Sequence, residues 1–554
     1  MFVRTKKRDD RVYLQIVENQ RVGKKVKQTV LFNLGRLDLL QETGKLDDLM
    51  ASMQRFSEKI ALITACANQD ISSSYTRKIG PSLLFERLWQ ELGVGSVIQN
   101  AAKRRGFEFS VERVAFITVL HRLFSPGSDR QAERWMDDYV IHGKEGIELH
   151  HFYRSMGFLG EPTRDQKDAT PFSPRCVKDQ IEEQLFARRR DLFTHLDLVF
   201  FDTTSLYFEG EGGGTLGQYG NSKDHRPDLK QMVVGVVLDN EGNPICSEYW
   251  PGNTTDVTTL IPIVNRMKER FPIGEACIVA DRGMISAETI KELERLNWKY
   301  ILGVRMRALK EAREEVLSSG GRYQEVTPKG EGSKDPAPLK VKEVKVRDRR
   351  YIICLNEDQA KKDRHDRAAI VASLERALKQ GDKSLIGNKG YRRYLKNPKE
   401  HLVIDEEKIK EEERYDGKWV LTTNTDLSAK EAALKYKQLW TVESLFRSMK
   451  SLLQTRPIYH KCDDTIRGHV FCSFLALLMR KQLQDHLEEA RENTEEPPLE
   501  WADIIRALDN LSEMEIQVNN KKYTLRSGAK GAAAKVFRAC GVALPPTVRL
   551  AEPG

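Results

Sequence analysis

Three carboxylates of the sequence have the setting of metal ligands. Asp202 and Asp281 each follow a short apolar run rich in strand-forming residues, which is typical of a buried strand. Glu443 stands seven residues after Tyr436 and seven before Lys450, so these three would lie nearly in one line on a regular helix. Taken singly, such acids are more often turn formers or parts of a solvated face. Together they predict a site for Mg²⁺ or Mn²⁺, ions that prefer carboxylate ligands and can act on a phosphodiester.

The segments around these acids predict a mixed α/β sheet. Between residues 196 and 305 the pattern is strand, strand, strand, helix, strand, helix, strand, and the first strand is expected to end at Asp202. Parallel strands present their carboxyl ends at one edge of a sheet, so the two aspartates should lie side by side. The sheet is expected to resume at residues 417–424, directly before a helix that is capped by Ser428 and carries Glu443.

Positive charge is concentrated near the start of the chain. The 554 residues contain 90 Lys and Arg against 81 Asp and Glu, a formal net charge of +9. Residues 1–36 alone hold ten basic and three acidic side chains, which suggests a polyanionic partner such as nucleic acid. A basic hairpin is expected at 11–32. The following helical region is interpreted equally well as a DNA-binding module or as a scaffold.

Length and composition predict several domains in a soluble cytoplasmic protein. The eight cysteines are scattered without zinc-ligand spacing, which is typical of a reducing compartment. No apolar run approaches the ~18 residues that span a bilayer, so no membrane partner is expected. The predicted domains are a basic β-rich segment (1–50), a helical, DNA-binding region (51–190), a first core part (191–306), an insertion subdomain with a proline-containing patch at 328–336 (307–416), a second core part (417–487), and a linker with a basic tail (488–554).

Five motifs resemble those of a known family. They are Phe-Asp-Thr-Thr at 201–204, Gly-Asn-Ser-Lys-Asp-His-Arg-Pro-Asp-Leu-Lys-Gln at 220–231, Trp-Pro-Gly-Asn-Thr-Thr-Asp at 250–256, Asp-Arg-Gly-Met at 281–284, and the stretch 436–450. In this order they resemble the DDE transposases of bacterial insertion sequences, specifically the insertion-sequence-four group with its Y-(2)-R-(3)-E-(6)-K signature. Tyr436, Glu443 and Lys450 match that signature, whereas Leu439 occupies the arginine position.

The resemblance implies a fold and an activity. The fold would be an RNase H-like catalytic core, a mixed sheet flanked by helices, that is interrupted by a β-rich insertion between the second aspartate and the glutamate. Asp202, Asp281 and Glu443 would be both the catalytic residues and the ligands of Mg²⁺, for which Mn²⁺ could substitute. The activity would be DNA nicking, strand transfer and cut-and-paste movement of an element whose terminal inverted repeats the protein binds as a homodimer.

Several side chains near these acids, most of them cations, are expected to contact DNA. Tyr436 and Lys450 are carried over from the family signature. Arg447 stands one turn beyond Glu443 and is the nearest cation able to replace the arginine missing at Leu439. A polar loop after the first strand adds Lys223, Arg226 and Lys230.

Two alternatives to a transposase are compatible with the sequence. One is a DNA-binding protein that derives from a transposase and has lost catalysis, and the other is a hydrolytic nuclease of the same fold that cuts without joining. The intact set of three acids favours an active enzyme over the first alternative.

Overall fold

The computed structural model of the chain describes residues 1–22, 25–54, 72–170, 173–189, 198–271, 276–326, 339–379, 392–396, 402–491, 497–518 and 521–550. The chain forms two compact units. The first comprises Met1–Gly80, Arg506–Ala534 and Ala543–Gly554, and the second comprises Pro81–Ile505 and Lys535–Val542. The patch at 328–336 and the middle of the expected linker, 492–496, lie outside the described residues.

The described strands, in chain order, are β1 (Phe2–Arg8), β2 (Arg11–Val22), β3 (Lys25–Arg36), β4 (Ser72–Lys78), β5 (Leu198–Tyr207), β6 (Gln231–Leu238), β7 (Pro244–Pro251), β8 (Cys277–Ala280), β9 (Lys299–Val304), β10 (Gln324–Val326), β11 (Leu339–Val346), β12 (Arg349–Asn356), β13 (Leu395–Lys396), β14 (Val403–Ile404), β15 (Lys418–Thr423), β16 (Ser512–Val518), β17 (Lys521–Arg526) and β18 (Val548–Leu550).

The described α-helices are α1 (Leu37–Glu42), α2 (Lys45–Gln54), α3 (Gly80–Glu91), α4 (Val94–Ala102), α5 (Val111–Phe124), α6 (Asp129–Trp135), α7 (Leu149–Gly160), α8 (Val177–Arg189), α9 (Asp256–Arg270), α10 (Ala287–Arg295), α11 (Glu357–Lys379), α12 (Glu406–Glu413), α13 (Ala429–Lys437), α14 (Trp440–Arg447), α15 (Asp463–Arg491), α16 (Trp501–Asp509) and α17 (Ala532–Ala539). Within the described ranges, no helix combines the length and the apolar character needed to cross a membrane.

The first unit contains two antiparallel sheets. One has the order β1-β2-β3 and includes the hairpin expected at 11–32. The other has the order β18-β17-β16-β4, so β4, which precedes the helical region, pairs with a strand from near the end of the chain. A fragment that stopped before β16 would leave β4 without this partner.

A nine-stranded mixed sheet forms the centre of the second unit, in the order β10-β11-β12-β15-β9-β8-β5-β6-β7. β8 lies parallel to both β5 and β9, and the other neighbours are antiparallel. The predicted succession of strands and helices between residues 196 and 305 is confirmed by β5, β6, β7, α9, β8, α10 and β9. An apolar core packs α9 and α10 on these strands, and it includes Phe201, Leu260, Met267 and Leu293.

Three strands of the segment expected to be an insertion, 307–416, belong to this same sheet, namely β10, β11 and β12. β12 pairs with β15, and β11 and β10 extend the sheet beyond it. Apolar packing explains why these strands join the sheet, because Val344, Tyr351 and Val420 form one buried cluster across β11, β12 and β15. What leaves the sheet is α11, the short β13–β14 ladder and α12.

A buried network of ion pairs joins α8 to β7 and α9. Arg270 of α9 donates to Glu182 of α8 at 2.6 Å and to Glu248 of β7 at 3.0 Å, and all three side chains are at most 1% exposed. Charges removed from water this completely are tolerated only while their partners remain in place. The network also includes Asp168, Arg175, Lys178, Asp179, Glu183 and Arg266.

We expect Arg270→Ala to lower the free energy of unfolding by about 3–5 kcal/mol, because it leaves buried carboxylates uncompensated. The matched control is Arg295→Ala, which removes an exposed pair with Glu292 and should leave the free energy of unfolding nearly unchanged. Denaturant titrations of both variants measure the difference. Equal losses would show that the buried network does not hold α9 in place.

Candidate active site

The register of two parallel strands brings Asp202 and Asp281 together. Phe201 of β5 pairs with Ala280, the last residue of β8, and each is followed in the chain by one of the two aspartates. The expectation that the first strand ends at Asp202 is wrong, since β5 continues to Tyr207. The reason is the antiparallel neighbour β6, which extends the ladder past the point where β8 stops.

Burial and neighbouring charges act on Asp202. Its Oδ1 accepts a hydrogen bond from the Thr203 backbone N–H at 2.7 Å. Burial raises the pKa of the Asp202 carboxyl to about 7, and the negative charges of Asp281 and Asp256 add to this, whereas the Lys223 ammonium opposes it. The carboxylate therefore stands in a place that favours an added positive charge.

Asp281 is held by an aromatic side chain from α13. The Tyr436 hydroxyl donates to Asp281 Oδ1 at 3.0 Å. Burial, and then the charge of Asp281, raise the pKa of Tyr436 above its usual range, so the phenol keeps its proton. Gly303 of β9 leaves room for this contact, because a Cβ there would lie 2.3 Å from the hydroxyl oxygen.

Glu443 does not lie on the helix that was expected to carry it. The Ser428-capped helix α13 ends at Lys437, and Glu443 belongs to the next helix, α14. Between them the chain tightens into i to i+3 hydrogen bonds, from Leu439 N–H to the Tyr436 carbonyl and from Val442 N–H to the Leu439 carbonyl. The regular α-helix expected from residue 436 to 450 is interrupted by this turn.

Lys450 lies within a second irregularity, the π-helical segment Ser448–Leu452. Glu443 itself is exposed. Among the described residues, Glu443 makes no hydrogen bond to either aspartate, and no three His, Cys, Asp or Glu side chains are placed to hold a metal ion. The structure thus unites the two aspartates, and the convergence of Glu443 on them stays a prediction.

Asp256, which was not predicted as a site residue, is a third carboxylate beside this pair. Its Oδ1 accepts from Thr203 Oγ1 at 2.7 Å, and its Oδ2 lies 3.1 Å from Lys223 Nζ. The available signals were its place at the end of the motif at 250–256 and its position as the first residue of α9, although an acid there is common for reasons of the helix dipole alone. Lys223 also donates to the Thr203 carbonyl at 2.7 Å, so this expected cation does lie at the site.

The other expected cations occupy different settings. Lys450 donates to Asp224 at 2.8 Å, and Arg456, which was not predicted, lies 3.2 Å from the second oxygen of that carboxylate. Arg226 pairs with Asp228, and Lys230 pairs with Glu211. Arg447 is exposed, and Leu439 is buried with 5% of its surface accessible.

The donor set of the site fits a hard divalent cation. Asp202 and Asp281 are adjacent carboxylates, and burial, with the charges of Asp281 and Asp256, raises the pKa of Asp202, so a nearby cation would favour its ionised form. An ion held by these two residues would supply that positive charge. Glu443 would have to complete the ligand set from α14.

Comparisons with known proteins identify two matching families. Residues 194–479 match the transposase DDE domain, which is more than half of the chain, and residues 2–67 match the N-terminal domain of IS1634 family transposases. No curated protein matches.

Two solved structures show weak similarity. One is a piggyBac transposase synaptic complex with hairpin DNA, at 13% identity and a TM-score of 0.35, covering 77% of this chain and 79% of that one. The other is a Mos1 transposase paired-end complex with the left transposon end, at 15% identity and a TM-score of 0.14, covering 35% of this chain and 60% of that one.

The Asp202 carboxyl should make stability depend on pH. Its folded-state pKa of about 7 lies above the usual value near 3.9, so the folded state holds the proton more tightly and loses stability as pH rises from 5 to 8. Asp202→Asn has no proton to lose. We therefore expect this variant to gain about 1–3 kcal/mol relative to wild type between pH 5 and pH 8, measured by denaturant titration in EDTA.

The control for this pH effect is Asp228→Asn. Arg226 lowers the pKa of the exposed Asp228, so that residue is ionised at both pH values and its substitution should have the same effect at each. An Asp202→Asn effect that is equally independent of pH would contradict the raised pKa.

Proposed function

Because the chain belongs to the DDE transposase family, we propose that it binds the terminal inverted repeats of an insertion sequence and catalyses Mg²⁺-dependent DNA strand cleavage and strand transfer. The observation that carries this proposal is the pairing of β5 with β8, which sets Asp202 beside Asp281. Cut-and-paste movement, a homodimeric complex and cytoplasmic location are parts of the same proposal. Membership of the insertion-sequence-four group also stays a prediction, since the matched N-terminal domain is that of the IS1634 family.

We further propose that the strands β5 to β9 are an RNase H-like catalytic core. They are adjacent in the order β7-β6-β5-β8-β9, with three antiparallel strands followed by two that run parallel to β5. This arrangement supports the proposal because β8 ends directly before Asp281 and beside Asp202 of β5. On this proposal β10–β12 extend the core, and α11, α12 and the β13–β14 ladder make up the rest of the insertion.

The roles of the site residues follow from their contacts. Asp202 and Asp281 would hold the metal, with Glu443 as the third ligand. When bound, Mg²⁺ polarises a phosphoryl oxygen and stabilises the charge that develops on the attacking and leaving oxygens. Asp202 must first give up the proton that its raised pKa retains. Lys223, held by Thr203 and Asp256, is the cation beside this reaction centre.

DNA would be held by cations around the carboxylates. Arg447 is exposed and so can reach a phosphate directly, and Lys223 and Arg226 lie on the loop beside β5. Lys450 and Lys230 would have to exchange their carboxylate partners, Asp224 and Glu211, for phosphates. Such contacts fix the register of the duplex, while base contacts specify its sequence.

Sequence-specific recognition of the repeats is proposed for the N-terminal 190 residues. The support is the excess of basic side chains at the start of the chain, where Lys6 and Lys7 of β1 are exposed. Because β4 pairs with β16, this proposal is better tested by substitutions in the full chain than by a fragment of residues 1–190.

A second candidate function is DNA binding without catalysis. One observation favours it: Glu443 is exposed, and within the described residues no set of three ligands is assembled for a metal. The transposase proposal requires Glu443 to approach the aspartates when metal and DNA bind, whereas a protein that only binds DNA requires no such approach.

Substitution of the three acids distinguishes an active transposase from a protein that only binds DNA. We expect Asp202→Ala, Asp281→Ala and Glu443→Ala each to reduce Mg²⁺-dependent nicking of inverted-repeat DNA by about a thousandfold or more, because charge stabilisation worth several kcal/mol is lost. Binding of the same DNA should change by less than about twofold, since contacts to phosphates and bases are retained.

The control for the triad is Asp358→Ala, an exposed acid at the start of α11 that should leave nicking unchanged. Wild-type protein that binds the repeats but neither nicks nor joins them in Mg²⁺ would establish the binding function instead. Nicking without strand transfer would identify a hydrolytic nuclease.

Exposed lysines at the start of the chain should contribute to DNA binding. We expect the double variant Lys6→Ala/Lys7→Ala to bind inverted-repeat DNA about 3–10-fold more weakly at low salt, and to lose roughly one to two units from the slope of log affinity against log salt. Fluorescence anisotropy across a salt series measures both quantities.

The matched pair for this test is Lys361→Ala/Lys362→Ala, two exposed lysines of α11. If only this second pair weakened binding, DNA recognition would belong to the insertion segment and not to the N-terminal sheet.

A further inference from the structure

We infer that Tyr436 and Gly303 are positioning residues for Asp281, a role that rests on the proposed metal-dependent function. The hydroxyl of Tyr436 fixes one oxygen of this carboxylate, and the absence of a side chain at Gly303 lets the hydroxyl reach it. The sequence had suggested a different role for Tyr436, namely contact with DNA. The two roles predict different measurements.

The hydrogen bond from Tyr436 occupies one oxygen of Asp281 and leaves the other oxygen available to a metal ion. Tyr436 donates to Oδ1 at 3.0 Å. Oδ2 faces the space beside Gly283, where a Cβ would lie 3.9 Å from it and 3.6 Å from Asp256 Oδ2. A carboxylate with one oxygen held by a donor cannot rotate freely, so the other oxygen is presented in a fixed direction. This is the way in which hydrogen-bonded neighbours commonly orient metal ligands.

Gly303 is explained by the same contact. It lies in the interior of β9, paired with Leu421 of β15, and a glycine in such a place weakens a strand. Its φ angle is not in the positive range, so the backbone does not require glycine here. A Cβ would stand 2.3 Å from the Tyr436 hydroxyl and 3.0 Å from the Arg282 nitrogen. A side chain at this position would therefore push the phenol off Asp281.

The helix that carries Tyr436 is well fixed. α13 begins with a capping box in which Ser428 and Glu431 satisfy each other's backbone N–H groups, and Ala432 and Ala433 are fully buried. Tyr436 stands in its last turn, just before the tight turn that leads to α14. The phenol thus reaches Asp281 from a rigid element, as positioning requires.

The test measures metal binding directly in the full-length protein. Mn²⁺ titrations, followed by electron paramagnetic resonance at pH 8, compare wild type with Tyr436→Phe, Gly303→Ala and the double variant. We expect each single variant to bind Mn²⁺ about 3–10-fold more weakly, the usual range for loss of one hydrogen bond. The double variant should be no weaker than the weaker single variant, because both substitutions break the same contact.

Matched controls keep the result specific. Tyr459→Phe removes a hydroxyl from a tyrosine that is 64% exposed, and Gly157→Ala adds a Cβ whose nearest neighbour, Thr465 Cγ2, is 3.7 Å away. Both should bind Mn²⁺ as wild type does. Affinity for a random 40-base-pair duplex without metal should stay within about twofold for all variants, and weakened nicking should recover at high Mn²⁺ concentration.

Failure of this inference can be told apart from failure of the proposed function. If wild type binds Mn²⁺ and Asp202→Ala abolishes that binding, but Tyr436→Phe keeps full Mn²⁺ affinity, the positioning role is overturned and the metal site stands. If Tyr436→Phe weakens duplex binding alone, Tyr436 is a DNA contact. If wild type binds no Mn²⁺, both proposals fall. Should Gly303→Ala fold poorly, Tyr436→Phe alone decides between these outcomes.

Discussion

The register between β5 and β8 is the constraint on which the site depends. It sets Phe201 opposite Ala280, and thereby makes Asp202 and Asp281 neighbours although the chain between them includes two strands and a helix. A shift of one residue would turn one of the aspartates to the opposite face of the sheet. That shift is resisted because it would also turn the core side chains of β8 away from α9 and α10, among them Ile278 and Ala280.

Several neighbouring groups offset the repulsion between the carboxylates of the site. Asp202, Asp281 and Asp256 are close enough for the charges of the latter two to raise the pKa of the first, and Lys223 is the cation that opposes them. Tyr436 stabilises Asp281 with a hydrogen bond. The site is therefore an acidic cluster with incomplete compensation, and such a cluster gains most from binding a cation. By contrast, Arg270 is paired with the buried carboxylates Glu182 and Glu248. These pairs fix α9, whose first residue is Asp256.

Most strands of the central sheet could be predicted from local sequence patterns, whereas side-chain contacts between residues far apart in the sequence could not. Buried strands such as β6 and β8 are continuous apolar runs, so their existence and their order are visible in the sequence. The continuation of β5 past Asp202 was missed because Thr203, Thr204 and Ser205 are polar, yet β-branched threonine suits a strand and the Thr203 hydroxyl has a partner in Asp256. The contact between Thr203 and Asp256 was not predicted, because the fold of the whole sheet brings these two residues together.

The same limit applies to the helix that was expected to carry Glu443. Spacing of seven residues predicts a common face only for an unbroken α-helix. A tight turn at Leu439 and a π-helical segment at Ser448–Leu452 interrupt the regular α-helical hydrogen bonding of this stretch. Tyr436 is thereby bound to Asp281, Lys450 to Asp224, and Glu443 is left exposed between them. The two ends of the stretch are therefore held by carboxylates, whereas Glu443 between them has its side chain in solvent. Because Arg447 is exposed on the same helix, the expected third ligand and the cation expected to contact DNA are both carried by α14.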